Sequence, residues 1–365
     1  MKLEEIISEL ERVFPLSLQE SYDNAGMQVF GGDKNIKAAL VTLDVTEDVV
    51  NEAIEKKCNL IISHHPLIFG NGLKKITGKN AVERIVMQCI KNSISVYSAH
   101  TNCDNSPLGT SLMMCQKLGI KNYKVLQPAE NRLYKIAVYV PQAHADNVRQ
   151  VIFLAGGGHI GNYSNSSFNI NGKGSFNPQE GAKPFVGTIG KLHFEDEIKI
   201  ETICESNQIG QIIKAIVSSH PYEEPAIDIV KLENPDNYNG SGAIGWLDKP
   251  ENTIDFLKKV KKVFNCGCIK HTKILKPEVK TIALCSGSGS FLVNKAVNKG
   301  ADVFISGDFT YHKYFDADSK ITIVDIGHYE SEIGIKQIFC DILTKKFCNF
   351  EVRISEQNTN PINYL

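Results

Sequence analysis

Two adjacent histidines, His64 and His65, close the apolar run Leu60-Ile61-Ile62-Ser63 and are followed at once by Pro66. Imidazoles at the end of an apolar strand need polar partners, so the fold must bring other polar groups to this point. A second cluster, Gly327-His328-Tyr329-Glu330-Ser331-Glu332, follows another apolar run more than 260 residues later. If the two converge, the chain closes on itself across most of its length and builds a divalent-metal site where they meet. Pro66 biases His65 toward extended backbone, and a turn beginning there lets both rings enter one cavity instead of alternating between faces. His328 and Glu332, four apart at a helix start, share one face, from which a glutamate can bridge two ions. Asp104, in Ala99-His100-Thr101-Asn102-Cys103-Asp104, completes one coordination sphere. The mixed histidine and carboxylate set suits zinc, manganese or iron(II) better than an all-oxygen calcium cage. Any one of His64, His65, His100 or His328 taken singly reads more readily as a hydrogen-bonded core or surface residue than as a ligand. His100 also reads as a donor behind the ligands or a proton shuttle.

Two divalent ions carry more positive charge than Asp104, Glu332 and a bridging hydroxide cancel, so the expected ligand is a small anion. The matching chemistry is hydrolysis of a phosphorylated or nucleotide-like molecule by a metal-activated water. The competing reading is a non-catalytic scaffold that stores or senses metal. Asp308 and His312, in Ser306-Gly307-Asp308-Phe309-Thr310-Tyr311-His312, follow a strand and read either as acid/base groups or as a helix cap and a surface residue. Gly287, Ser288 and Gly289 form a loop that can cradle an anion at a helix N-terminus, without the lysine or spacing of a P-loop.

With 365 residues the chain exceeds the ~250–300 at which single cores stop growing. Its 40 Lys+Arg against 41 Asp+Glu leave a net charge of -1 with no basic stripe, which argues against duplex nucleic acid as a partner. The first 14 residues alternate at helical spacing and include Glu4, Glu5, Glu9 and Glu11, unlike an export signal. No apolar run approaches the ~18–20 residues of a membrane span, so a soluble, cytoplasmic protein is expected. The ten cysteines are scattered without a CxxC pair and read as reduced, mostly buried thiols.

The pattern predicts an α/β fold. Strands are expected at 36–45, 60–63 and 94–98, helices at 46–57 and 81–91, and a further helix opened by Pro107 and running to Leu118. The middle predicts a β-α-β…β-α-β order: strands 133–140, 194–203 and 226–232, helices 143–155 and 208–218, with a Gly/Asn/Ser-rich stretch of short pieces at 156–190. That order suggests a small α+β, ferredoxin-like insert, with a linker at 234–242 as its exit. After it come helices at 252–264, 291–299 and 329–345 and strands at 280–284, 303–306 and 321–326. A weak echo between 58–64 and 301–307 hints at two related halves. The expected partition is therefore an α/β metal-binding domain from 1–128 and 237–365, interrupted by an insert at 129–236.

Tyr22-Asp23-Asn24-Ala25-Gly26, Ile61 to Pro66, Ser98 to Asp104, Gly287-Ser288-Gly289, Gly307-Asp308 with Tyr311-His312, and Gly327-His328 with Ser331-Glu332 together resemble the family labelled type 2 homologues of GTP cyclohydrolase 1. The resemblance implies that His64, His65, Asp104, His328 and Glu332 are dinuclear-metal ligands with Glu332 bridging, and that His100 and His312 lie near the ions. It also implies two related halves and a homohexamer whose sites face an interior. Tyr22 departs from the family pattern, where tryptophan is common. Gly172-Lys173-Gly174-Ser175-Phe176, Pro178, Gly181, Pro184, Gly187 and His220-Pro221-Tyr222-Glu223-Glu224-Pro225-Ala226 resemble an insert similar in fold to the PII signalling and CutA proteins.

Overall fold

The structure is a computed structural model that describes residues 1–70 and 72–365. The fold is α/β, and the chain divides into two compact units, Met1–Pro128 with Asn237–Leu365, and Ala129–Asp236. Among the described residues no helix is long and apolar enough to cross a membrane.

The first unit contains two sheets. One has the strand order Gly26–Val29, Ser95–Ser98, Leu60–Ser63, Ala38–Thr42, Glu351–Ile354. All but its first strand run parallel. Leu60, Ile61 and Ile62 are fully buried, as expected of a parallel strand covered on both faces. The helices that cover it begin where their caps dictate: Thr46 Oγ1 accepts from Val49 N–H at 3.2 Å and Asn80 Oδ1 from Glu83 N–H at 2.9 Å, each satisfying an otherwise orphan donor. The other sheet has the order Lys270–His271, Thr322–Asp325, Val303–Ser306, Glu278–Leu284, Asp236–Asn252, Asn122–Ala129. Its three strands Glu278–Leu284, Val303–Ser306 and Thr322–Asp325 are mutually parallel. Polar residues at the ends of parallel strands therefore gather where such sheets bind ligands.

Several sequence expectations need correction. Pro107 does not open a helix; it lies in a turn closed by Gly109 N–H donating to Ser106 O at 2.9 Å, and the helix is Thr110–Lys117. Only glycine fits at 109, because a Cβ there would lie 2.0 Å from Cys103 O. The segment 234–242 is mostly strand rather than linker, being the first part of Asp236–Asn252, which lies between Glu278–Leu284 and Asn122–Ala129 in the sheet. Its glycines serve close approach: a Cβ on Gly242 would meet Leu284 O at 2.9 Å. The single terminal helix is two, His328–Glu332 and Ile335–Lys346. Between them Gly334 passes so near Met113 that a Cβ would lie 2.4 Å from its sulfur. Glu351–Ile354, which the pattern did not reveal, pairs in parallel with Ala38–Thr42.

The second unit has a four-stranded antiparallel sheet in the order Phe168–Phe176, His193–Glu205, Leu133–Pro141, Ile227–Lys231. Helices Ala145–Leu154 and Ile209–Ser219 bury Val148, Ile152, Ile212 and Ile216 against Ile136, Val138, Val140 and Ile200. The 156–190 stretch contains one nine-residue strand, Phe168–Phe176. Its Asn, Gly, Lys and Ser content hid it, and as an edge strand it stays largely exposed.

The two ends of the chain are locked together by the helices Leu3–Val13 and Ile335–Lys346, which share a core containing Ile6, Leu10, Phe14, Phe339 and Leu343. Phe14 and Phe339 meet edge to face at 5.7 Å and 74°. Phe14→Ala removes a fully buried ring, and chemical denaturation should show a loss of about 3–5 kcal/mol; an unchanged midpoint would mean this packing does not hold the termini.

Candidate metal centre

The strand Leu60–Ser63 ends where the histidines begin. His64 and His65 N–H groups both donate to Leu43 O, at 3.2 and 3.0 Å, and Ser63 Oγ donates to His65 O at 2.9 Å. This turn breaks the strand alternation and sends both rings inward. His64 is completely buried, with Nδ1 2.8 Å from Ala99 O. A carbonyl only accepts, so Nδ1 carries the proton and Nε2 is left with a lone pair. That Nε2 is buried and, among the described residues, has no hydrogen-bond partner, with Asp104 and Glu332 standing off at 3.6 and 3.7 Å.

The other rings repeat the arrangement with carboxylates. Nδ1 of His65 is 2.7 Å from Asp44 Oδ1, that of His328 2.7 Å from Asp308 Oδ2, and that of His100 2.7 Å from Asp23 Oδ1. An outer acceptor on each Nδ1 fixes the tautomer and turns Nε2 inward, the usual support for a metal-binding imidazole. Glu332, on the short helix His328–Glu332, is the inner carboxylate. Its Oε2 lies 2.9 Å from His65 Nε2, 3.0 Å from His328 Nε2 and 3.7 Å from His64 Nε2. Asp104 Oδ1 is 3.6 Å from His64 Nε2 and is steadied by the Thr110 hydroxyl, itself paired with Ser286.

Among the described residues, three overlapping groups have ligand atoms within 4.8 Å of one another: His64, Asp104 and Glu332; His65, His328 and Glu332; and His64, His65 and His100. The donors fit a metal. His65 and His328 Nε2 are only 3.2 Å apart, and two such lone pairs need a cation or a proton between them. Burial alone would pull the imidazole pKa values down, yet Asp44 and Glu332 raise His65 to about 9, and Asp308 and Glu332 raise His328 to about 11. Glu332 is buried, which would raise it, but His64, His328 and His65 hold it well below the ordinary carboxylate value. Burial raises Asp104, against the pull of His64. The carboxylates thus favour positive charge at the Nε2 atoms of His65 and His328.

Other residues singled out in the sequence fall differently. Asp308, at a left-handed φ of 57°, is engaged by His328 at 2.7 Å and by Ser288 Oγ at 2.9 Å, so it orients an imidazole. His312 is exposed, packs against Tyr311 and Phe315, and joins none of the three groups. The N–H groups of Gly287 and Gly289 donate to Ser331 Oγ and Ser306 Oγ, both at 2.9 Å, so neither is open to an anion. Gly287 instead makes room for the carboxylate: a Cβ there would lie 2.3 Å from Glu332 Oε1. Asp44 went unnoticed in the sequence, and Asp23 was noticed only as part of a motif. A lone aspartate beyond a strand or in a turn carries no signal of which ring it will hold.

A cavity of about 510 Å³ opens beside His65, His100, Asp104, His328 and Glu332, and Tyr22, Phe69 and Phe291 contribute exposed rings to its wall.

The family model for Duf34/NIF3 (NGG1p interacting factor 3) matches residues 1–361. A Halalkalibacterium halodurans protein called GTP cyclohydrolase 1 type 2 homolog is 39% identical over 365 residues, covering 99% of this chain and 98% of the relative. A Bacillus subtilis protein of the same name is 36% identical over 367 residues, covering 99% and 98%. Among solved structures, a Bacillus cereus protein related to NIF3 matches with a TM-score of 0.87 and 37% identity, covering 100% of this chain and 99% of the other. A Staphylococcus aureus protein matches at 0.78 and 30%, with the same coverage.

The raised histidine pKa values give a signed expectation for metal-stripped protein. Their folded values exceed the ordinary 6.5, so the stabilisation they supply is complete below about pH 6.5 and is lost as pH rises toward 9 for His65, and higher still for His328. Urea midpoints in chelator should therefore fall between pH 6.5 and 9, and Glu332→Gln should flatten that fall. A wild-type profile no steeper than the variant's would contradict the electrostatics.

Proposed function

The chain belongs to the Duf34/NIF3 (NGG1p interacting factor 3) family, and from that premise we propose that His64, His65, Asp104, His328 and Glu332 hold two divalent ions in a hydrolytic centre. The observation that carries this reading is that Glu332 belongs to two separate three-residue groups. His64 and Asp104 would hold one ion, His65 and His328 the other, with Glu332 shared between them. Zinc, iron and manganese all suit the donors. When bound, the ions would polarise a phosphoryl or carbonyl-like centre and lower the pKa of a water.

The remaining chemistry belongs to the chain's own side chains. His100 faces the cavity with Asp23 behind it. Burial would raise Asp23, but hydrogen bonds from His100 and Thr101 bring it down to about 2. An aspartate so firmly ionised holds the imidazole in place while its Nε2 gives or takes a proton. The cavity supports a substrate class: exposed Tyr22, Phe69 and Phe291 offer faces on which a planar base can stack, next to a centre that would favour an anionic group. This supports a small phosphorylated or nucleotide-like substrate. The insert reads as a ferredoxin-like unit of the PII and CutA kind; a closed oligomer is reasonable for such a chain, and the family resemblance implies a homohexamer.

Three outcomes are expected. Elemental analysis after reloading with manganese, iron or zinc should find about two ions per chain, with Glu332→Gln losing more metal than His100→Ala; equal losses, or only trace metal, would contradict the ligand assignment. A metal-supplemented screen of nucleotides, phosphate esters and phosphodiesters should reveal turnover that His64→Ala and Glu332→Ala both reduce at least about a hundredfold. Metal-loaded protein with no turnover would favour the storage or sensing role. Light scattering should give six times 40.4 kDa, and a persistent monomer would remove the hexamer.

A further inference from the structure

The second unit carries a cavity of its own, about 420 Å³ in volume, within the range of small-molecule sites. The two motifs that the metal centre leaves unused converge on it. The run from Gly172 to Gly187 supplies one side through Phe176 and Phe185, and the His220–Ala226 segment supplies the other through Tyr222, Glu223 and Glu224, with Glu197 between them.

The geometry is that of a box with aromatic walls. Phe176 and Tyr222 ring centroids are 5.8 Å apart at 59°, and those of Phe185 and Tyr222 are 6.4 Å apart at 49°. His220 sets Tyr222 in place: its Nε2 bonds to Tyr139 O at 3.0 Å, leaving Nδ1 to accept Tyr222 N–H at 3.0 Å. Tyr222 then donates its hydroxyl to Glu197 Oε1 at 2.9 Å. Gly174 gives that carboxylate its space, because a Cβ there would lie 2.2 Å from Glu197 Oε2. Glu223 is tied by the Lys183 backbone N–H at 2.8 Å. Burial and the nearby Glu197 and Glu195 push the Tyr222 phenol well above its ordinary range.

Three carboxylates line this space and no lysine or arginine does. Ring faces present negative potential, so walls and carboxylates act in the same sense: they repel phosphates and attract a cation. We propose that this cavity is a binding site for a small organic ammonium ion, its charge met by Glu197 and its neighbours and its apolar body enclosed by Phe176, Phe185 and Tyr222. The site is independent of the metal centre, and its test does not depend on any hydrolytic activity.

The test is isothermal titration calorimetry on the full chain with three cations, choline, spermidine and benzylamine. The uncharged counterparts of the first and last, 3,3-dimethylbutanol and benzyl alcohol, serve as controls. At least one cation should bind with a Kd tighter than about 10 mM, and a bound choline or benzylamine should exceed its neutral counterpart by roughly tenfold or more, as charge over ring faces requires. Glu197→Gln and Phe185→Ala should each weaken the bound cation about tenfold. Phe185 is half exposed, so that variant should fold even if the other does not. The proposal is overturned if none of the three cations binds, if the alcohols bind as well as the matching amines, or if Phe185→Ala leaves affinity unchanged.

Discussion

One buried carboxylate organises the candidate metal centre of this protein. Glu332 is 2% exposed, and its Oε2 lies within hydrogen-bonding distance of two imidazoles and close to a third. An isolated charge in that position would be strongly unfavourable, so the surrounding fold has to supply positive charge. It does so from distant segments: His64 and His65 from the first sheet's strand end, His328 from the same short helix as Glu332. The helix Ile335–Lys346, one break further on, packs on the N-terminal helix, and Glu351–Ile354 adds to the first sheet. These contacts keep Glu332 within reach of residues 267 positions earlier.

The outer acceptors explain why this cluster is poised for cations. Ala99 O, Asp44, Asp308 and Asp23 each hold one Nδ1, so each Nε2 is committed to the interior. His64 Nε2, buried with no hydrogen-bond partner, is an arrangement that costs stability unless something occupies its lone pair. Asp104 and Glu332 stand 3.6 and 3.7 Å from that atom, too far for hydrogen bonds but near enough to share a cation with it. A metal bound there would take the positions a proton can occupy, and its binding would release protons.

Sequence patterning located the inner residues more readily than their supports. Paired histidines at the end of Leu60–Ser63 stand out because polar rings interrupt an apolar strand, and the four-residue spacing of His328 and Glu332 places them on one helical face. Asp44 and Asp23 did not stand out as partners, because an aspartate after a strand or in a turn has many local uses and only folding reveals which ring it meets. For the same reason neither the acid/base nor the helix-cap reading of Asp308 revealed its hold on His328, and Gly287-Ser288-Gly289 was read as a possible anion cradle although its glycine N–H groups are bonded to Ser331 and Ser306. Among the elements, Leu60–Ser63, Ala81–Lys91 and Val303–Ser306 were legible from end to end. Asp236–Asn252 was not, because glycines placed for close approach to Leu284 and Ile120 mimic the composition of a linker. The insert's strand Phe168–Phe176 was hidden in the same way by an edge position that requires little apolar content.

Glu332 as a shared ligand is tested most directly by crystallography of metal-loaded protein, with data collected on both sides of the metal's absorption edge. Two anomalous peaks are expected, one next to His64 and Asp104 and the other next to His65 and His328, with the Glu332 carboxylate in contact with both. A single peak, or two peaks of which Glu332 touches only one, would contradict the bridging role on which the proposed chemistry rests.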